Sequence, residues 1–231
     1  MRSQSQGVKK GLLLKIKEVF PTIQGEGPLA GVPAVFIRLA GCNLKCWFCD
    51  TDFSGGKLTA VTALITEIND LRWKVGVGDR PLVVLTGGEP LMQTVGPLVG
   101  TLLGHGWRVQ IETDGTLWTD LPESEWLDVV CSPKTPKVHP YLRNRVTAWK
   151  YLIRHTEDYD RLDGIPIANT QDLAKHPEPL AKPNRGAPVY LQPVDEENVD
   201  TNYLNTQEAV ARSMEFGHRL CLQQHKILGL P

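Results

Sequence analysis

Three cysteines crowd one short run, Gly41-Cys42-Asn43-Leu44-Lys45-Cys46-Trp47-Phe48-Cys49-Asp50-Thr51, with the spacing C-x3-C-x2-C. Thiolates are soft ligands, so the chemistry on offer is zinc, copper(I) or an iron–sulfur cluster. A structural zinc site takes four ligands, and no second C-x2-C or H-x3-H pair lies nearby. A cubane held wholly by protein also takes four thiolates. Three thiolates in one loop suit a 4Fe–4S cluster whose remaining iron is open to an external ligand. A non-enzymatic zinc module that borrows a remote fourth ligand, such as His139 or Cys131, is the alternative of a different class.

Further chemistry-bearing residues follow. Thr86-Gly87-Gly88-Glu89-Pro90 pairs two glycines, which let backbone approach a ligand closely. Glu112, in Ile111-Glu112-Thr113-Asp114-Gly115, offers a carboxylate that can accept from hydroxyl groups. Ser132-Pro133-Lys134 and Gln192-Pro193 are polar runs after apolar ones. Taken singly, each reads as an ordinary turn or strand end; their combination with the cysteine loop is what makes them specific.

The elements that must hold these residues are legible as apolar runs. Strands are expected at 34–39, 81–86, 107–113, 126–132, 148–153 and 189–194, with a short one at 219–222. Helical spacing of Val61, Leu64, Ile65, Ile68 and Leu71 predicts a helix over 59–73, and others are expected at 91–104 and about 201–216. Short apolar strands alternating with helices indicate βαβ units and a parallel sheet. Cys42, Gly87, Thr113 and Ser132 each come at or just after the end of a predicted strand, and Gln192 lies late in one. Ligand sites in parallel α/β sheets and barrels lie at the carboxyl ends of strands, so these residues should converge on one face.

Composition narrows the class. The chain has 231 residues, 41% of them apolar, enough for a sizeable core and for one domain over 1–231. A net charge of −1 without a basic block gives no support to direct nucleic-acid binding. No run approaches the ~18 apolar residues of a membrane span. The opening 1–20 has too short an apolar run for a cleaved leader, and the expected location is cytoplasmic. Five cysteines, an odd number, argue against a disulfide framework, and Cys131 and Cys221 read as small buried apolar residues.

The cysteine loop, with aromatic Phe48 before its last cysteine and the Gly87-Gly88-Glu89-Pro90 run, resembles the radical S-adenosylmethionine (SAM) superfamily. That resemblance implies a 4Fe–4S cluster on Cys42, Cys46 and Cys49. It also implies bound SAM, contacted by Phe48, Cys49, Asp50, Gly88, Glu112, Ser132, Pro133, Lys134 and Gln192. A tighter resemblance lies in Phe20-Pro21-Thr22-Ile23-Gln24-Gly25-Glu26-Gly27, in 31–42, in Cys49-Asp50-Thr51 and in Gln224-His225-Lys226-Ile227-Leu228-Gly229-Leu230-Pro231. These stretches are similar to the 7-carboxy-7-deazaguanine synthase family of queuosine biosynthesis, a tRNA modification pathway.

The family resemblance implies a lyase. Its substrate is 6-carboxy-5,6,7,8-tetrahydropterin, which loses its C6 hydrogen, contracts its ring and releases ammonia; SAM is regenerated. Substrate contacts fall on Ile23, Gln24, Gly25, Arg38, Thr86, His225 and Pro231, and a magnesium ion on Thr51. No general base is nominated. The implied fold is an α/β incomplete (β/α) barrel of about six parallel strands. It carries an N-terminal substrate-binding segment at about 18–33 and an irregular region at about 155–187. A homodimer and an external, flavodoxin-like electron donor are the implied partners. A radical SAM activating enzyme, making a glycyl radical on a partner protein, is the competing reading.

Overall fold

The computed structural model describes residues 12–76, 80–167 and 179–231. The opening positions 1–11, read above for a leader, and 168–178 within the predicted irregular region lie outside the described residues. In chain order the strands are β1 (Leu13–Ile23), β2 (Pro33–Leu39), β3 (Lys57–Ala60), β4 (Leu82–Gly87), β5 (Arg108–Thr113), β6 (Leu127–Cys131), β7 (Ala148–Ile153), β8 (Val189–Pro193) and β9 (Arg219–Leu220). The helices are α1 (Val61–Leu71), α2 (Gly96–Gly104), α3 (Pro140–Arg143), α4 (Val199–Phe216) and α5 (Gln224–Leu228).

The strands form one sheet in the order β3-β1-β2-β4-β5-β6-β7-β8-β9. From β2 to β9 each neighbouring pair is parallel. The edge strands β3 and β9 do not pair with each other, so the sheet stays open. This is the expected α/β incomplete barrel, with the six predicted long parallel strands all in place. The closing strand is shorter than expected, two residues rather than four.

Two strands were not anticipated. β1 runs antiparallel to β2, pairing Ile23 with Pro33 and Val19 with Ile37, and antiparallel to β3 on its other side. Its apolar alternation is hard to see because Pro21 interrupts it and the register shifts between Ile16 and Glu18. Most of the expected substrate-binding segment is therefore the end of a strand and the turn after it.

The helices follow the predicted spacing with corrected ends. Val61, Leu64, Ile65 and Ile68 form the buried face of α1, but its expected start at 59 belongs to β3. The run expected as a helix over 91–104 splits. A 3-10 turn occupies Pro90–Met92, and α2 begins only at Gly96, with a proline in its first turn where a missing N–H costs nothing. α4 starts two residues early because the Asn198 side chain caps it, accepting from the Thr201 amide at 2.9 Å.

One core packs α1 and α2 on the sheet through Leu64, Ile68, Leu98, Leu102, Val83 and Ile111. A second gathers Trp149, Tyr151, Ile153 and Leu191 against Ala209 of α4. Strands covered on both faces read as continuous apolar runs, which is why β4, with Leu82–Leu85 all buried, was easy to find. Among the described residues no helix is long and apolar enough to cross a membrane.

Trp107 closes the first core. It is fully buried, its Nε1 donates to Asn69 Oδ1 at 3.2 Å, and the Arg72 guanidinium lies 5.2 Å from its ring centroid. Trp107→Ala should lower stability by about 3–5 kcal/mol, read by urea denaturation. A loss below ~1 kcal/mol would show that this corner is not part of the cooperative core.

Candidate active site

The carboxyl ends of the parallel strands open into a cavity of about 470 Å³, the size of an ordinary small-molecule site. The cysteines Cys42, Cys46 and Cys49 line it, with Phe48, Asp50 and Thr51 from the same loop. Gly88, Glu112, Ser132, Lys134 and Gln192 form its walls. Ile23, Gln24, Arg38 and Thr86 line the side nearest β1, and His225 and Pro231 close it from the C-terminal end. Of the residues expected from sequence, only Gly25 and Pro133 do not line it, and both adjoin residues that do.

The cysteine loop leaves β2 through Gly41, whose φ of 94° suits glycine. Its shape is fixed by backbone: Gly41 N donates to Phe53 O at 2.9 Å, Glu89 N to Gly41 O at 2.9 Å, and Cys49 N to Cys46 O at 3.2 Å. The glycine pair at the end of β4 is explained by this contact. A methyl group on Gly87 would lie 2.2 Å from Leu39 O, and one on Gly88 would lie 2.1 Å from Gly41 O and 2.7 Å from Cys42 Cβ. These glycines let two strand ends touch, whatever else they approach.

Glu89 locks the same junction. It is fully buried and accepts from Leu91 N at 2.8 Å, Thr113 Oγ1 at 2.8 Å and Asp114 N at 2.7 Å. Burial, with the neighbouring Asp114 carboxylate, pushes its pKa up. Asp114 lines the cavity, and its Oδ2 is buried without a hydrogen-bond partner. Outside the loop, Arg154 stacks 4.4 Å from the Trp47 ring centroid and holds Glu196 by two bonds of 3.0 and 3.1 Å.

The three thiols fit a cluster with three protein ligands: one loop, one cavity rim, and room inside for a ligand to the open position. Burial pushes the Cys42 thiol up to about 11, so metal coordination is what would make it a thiolate. The remote zinc ligands considered above do not serve. Cys131 is fully buried on β6, and neither it nor His139 lines the cavity. Among the described residues no three Cys, His, Asp or Glu side chains converge on a single-ion site.

Around the walls, Glu112 accepts from Gln24 Nε2 at 3.3 Å, Gln110 Nε2 at 2.5 Å and Lys150 Nζ at 2.9 Å. Lys150 also donates to Glu26 Oε2. Lys134 Nζ donates to the Ser132 carbonyl at 2.8 Å and hydroxyl at 2.5 Å, and burial lowers its pKa. Gln192 Oε1 accepts from Cys221 Sγ at 3.4 Å. Arg38 pairs with Glu18 at 2.6 Å and lies beside Thr86 in the β2–β4 register. Thr51 Oγ1 donates to Asp50 Oδ1 at 3.2 Å.

The C-terminal segment is seated, not frayed. Gln224 N donates to Gly25 O at 3.1 Å, and Thr22 Oγ1 donates to Pro231 O at 3.2 Å. Lys226 Nζ bridges Asp50 at 2.6 Å and Asp195 at 2.7 Å, tying α5 to the cysteine loop and to the turn after β8. Burial lowers the pKa of His225.

Sequence reasoning missed Glu26, Glu89, Asp114, Lys150, Asp195 and Lys226 as site residues. A lysine inside the apolar run Ala148-Trp149-Lys150-Tyr151-Leu152-Ile153 was the one clear signal. Glu26, Glu89, Asp114 and Lys226 stood within quoted motifs but were passed over.

Two substitutions test this construction. Gly88→Ala should displace Cys42 and reduce iron bound per chain after anaerobic reconstitution, with the far-ultraviolet spectrum unchanged; full iron content would refute the close contact. Gly25→Ala would put a methyl 2.1 Å from His225 Nδ1 and 2.9 Å from its amide nitrogen. Amides of 224–231 should then lose protection from hydrogen exchange; unchanged protection would show that α5 does not rest on Gly25.

A profile of the radical SAM superfamily matches residues 36–133, the span from β2 to just past β6. The 7-carboxy-7-deazaguanine synthase of Rhodospirillum rubrum is 48% identical over 224 residues, covering 94% of this chain and 93% of that protein. That of Rickettsia prowazekii is 36% identical, covering 95% and 90%. That of Caulobacter vibrioides is 35% identical, covering 94% and 98%. The crystal structure of QueE from Escherichia coli shares the fold, with a TM-score of 0.64 at 24% identity over 96% of this chain and 99% of that one. The chain belongs to the 7-carboxy-7-deazaguanine synthase family of radical SAM enzymes.

Proposed function

We propose that this protein converts 6-carboxy-5,6,7,8-tetrahydropterin to 7-carboxy-7-deazaguanine with loss of ammonia, a lyase reaction serving queuosine biosynthesis. One observation carries the reading. The chain is 48% identical to a 7-carboxy-7-deazaguanine synthase over nearly its whole length, and the residues that the resemblance assigns to cluster, SAM and substrate, all but Gly25 and Pro133, line one cavity.

Membership of the superfamily implies a 4Fe–4S cluster and SAM. Bound together, they supply the one-electron chemistry that removes a hydrogen atom from substrate, the hard step that a cofactor carries for its protein. The chain's own part is to bind and orient. Cys42, Cys46 and Cys49 hold the cluster. Phe48, Asp50, Gly88, Glu112, Ser132, Pro133, Lys134 and Gln192 hold SAM, with Cys49 beside it. The Ile23–Gly25 backbone and Thr86 meet the flat pterin edge. The Arg38 guanidinium takes the substrate carboxylate, a planar fork that matches carboxylate geometry. His225 and Pro231 close the cavity behind the substrate and exclude water. Thr51 offers a hydroxyl oxygen to a magnesium ion, which prefers oxygen ligands. A flavodoxin-like protein delivers the electron, the chain acts as a homodimer, and the reaction takes place in the cytoplasm.

The test is anaerobic reconstitution with iron and sulfide, then addition of reductant, SAM, magnesium and the tetrahydropterin, with products followed by mass spectrometry. Formation of 7-carboxy-7-deazaguanine without net SAM consumption is expected. Formation of 5′-deoxyadenosine alone would keep the radical chemistry and overturn the substrate. Arg38→Ala should raise the KM for the tetrahydropterin by roughly 10–100-fold, as loss of a charged hydrogen-bonded contact does. Removing magnesium by chelation should slow turnover, and unchanged rates would discard the role of Thr51.

A further inference from the structure

Lys150 is the least expected charge in the molecule. It lies between Trp149 and Tyr151, both fully buried, and is itself only 6% exposed. Its side chain reaches the cavity, where the ammonium meets two carboxylates: Glu112 Oε2 at 2.9 Å and Glu26 Oε2. The contacts close into a ring. The Glu26 amide donates to Gln24 Oε1 at 3.1 Å, and Gln24 Nε2 donates to Glu112 Oε1 at 3.3 Å. Both carboxylates return to Lys150. Gln24 and Glu112 are also residues assigned above to substrate and SAM.

The ring joins three elements that are far apart in the sequence. Glu26 belongs to the turn after β1, Glu112 to β5 and Lys150 to β7. Gln223, just before α5, donates to Glu26 Oε1 at 2.8 Å and extends the ring to the C-terminal segment. Gly27 N donates to Cys221 Sγ at 3.1 Å, beside it. Two carboxylates share one ammonium, so the ring carries an excess negative charge in a buried place.

We propose that Lys150 is a positioning residue for the reaction. Its single ammonium, shared by Glu26 and Glu112, fixes the Gln24–Glu26 turn against the ends of β5 and β7 and so sets the spacing between the substrate and SAM walls. The proposal rests on the functional reading above for the choice of ligands only.

Removing the ammonium leaves two buried carboxylates within two hydrogen-bond lengths of each other, and such a pair takes up a proton more readily than an isolated carboxylate. In the parent chain burial works against the charge of Glu26, but Lys150 overrides it and holds that pKa at about 2. Burial also opposes the charge of Lys150, and Glu112 and Glu26 outweigh it, raising its pKa. The Glu26 carboxylate is therefore protonated only as pH falls through about 2, and the ammonium is lost only above its ordinary alkaline range. Across neutral pH Glu26 and Lys150 both keep their charges. Other titratable groups that face it are Cys221 after β9, Lys134 after β6 and His225 on α5; the parent chain's own pH profile corrects for them.

The experiment uses anaerobically reconstituted holoprotein of the parent chain, Lys150→Met and Lys150→Met/Glu26→Gln. Iron content is checked first, and tetrahydropterin binding is measured by calorimetry between about pH 6 and 9. The parent should show little dependence attributable to the ring. Lys150→Met should retain its cluster yet bind at least tenfold more weakly at the alkaline end, recovering as pH falls and one carboxylate is protonated. The double variant, with a single carboxylate left, should bind more tightly than Lys150→Met at the alkaline end and show a flatter profile. Equal weakening at every pH, or no rescue by Glu26→Gln, would overturn the proposal. If Lys150→Met does not fold, recovery of folded holoprotein in the double variant supports it, and failure of both overturns it. Hydrogen-exchange protection of the 24–27 amides, corrected for intrinsic rates, should follow the same pH pattern without ligand. A parent holoprotein that fails to bind the tetrahydropterin would overturn the functional reading, while the exchange measurement would still decide the role of Lys150.

Discussion

The whole site hangs from the parallel pairing of β2 with β4. That ladder runs from Ala34 opposite Leu82 to Leu39 opposite Gly87, and both chains leave it together at the mouth of the cavity. The cysteine loop departs from one strand and the Gly87–Pro90 turn from the other. They meet through the Glu89 amide and the Gly41 carbonyl, at a separation that leaves no room for a β-carbon on Gly87 or Gly88. The direction taken by Cys42 is thus set by backbone contact. Glu89 extends this anchor to β5 by accepting from Thr113 and Asp114, so three successive parallel strands are fixed in register at their ligand-facing ends.

The mouth is also where the molecule departs from the economy of an apolar core. Glu89, Gln110, Lys150 and Gln192 are all buried there. Buried ion pairs are poor sources of stability, because desolvation offsets most of their Coulomb attraction. Breaking one is nevertheless costly, since the abandoned partner stays buried and charged. Such groups therefore serve geometry better than stability. At this site such a pair connects segments far apart in sequence, Lys150 to Glu26 across 124 positions, and the exposed Lys226–Asp50 pair spans 176.

Closure of the site from the chain's two ends follows the same logic. The turn after β1 and the helix α5 lie on opposite sides of the sequence but pack against each other through Gly25 and His225. The helix is not held by burial: no residue of α5 is buried. Hydrogen bonds and ion pairs hold it instead, at Gly25, Thr22, Asp50 and Asp195. A segment held in this way can open at modest cost, which suits the wall of a cavity through which a small molecule must pass.

The sequence by itself determined the cysteine loop, the glycine pair, the long parallel strands and the family, because each depends on short-range information. Ligand spacing is local, strand ends carry glycine and polar residues, and most of the covered strands are predominantly apolar. β1 and β3 escaped because an antiparallel edge with a proline and a register shift has no continuous period. The helix predicted at 91–104 lost its first turn because the chain first makes the 3-10 turn that Glu89 caps. Only the tertiary structure decided which charges belong together. Glu26 and Lys150 become partners through the position of β7 three strands beyond β4 in the sheet, and Lys226 becomes a latch through the seating of α5. No local pattern encodes such pairs, since they depend on strand order and on where the chain returns after a long excursion.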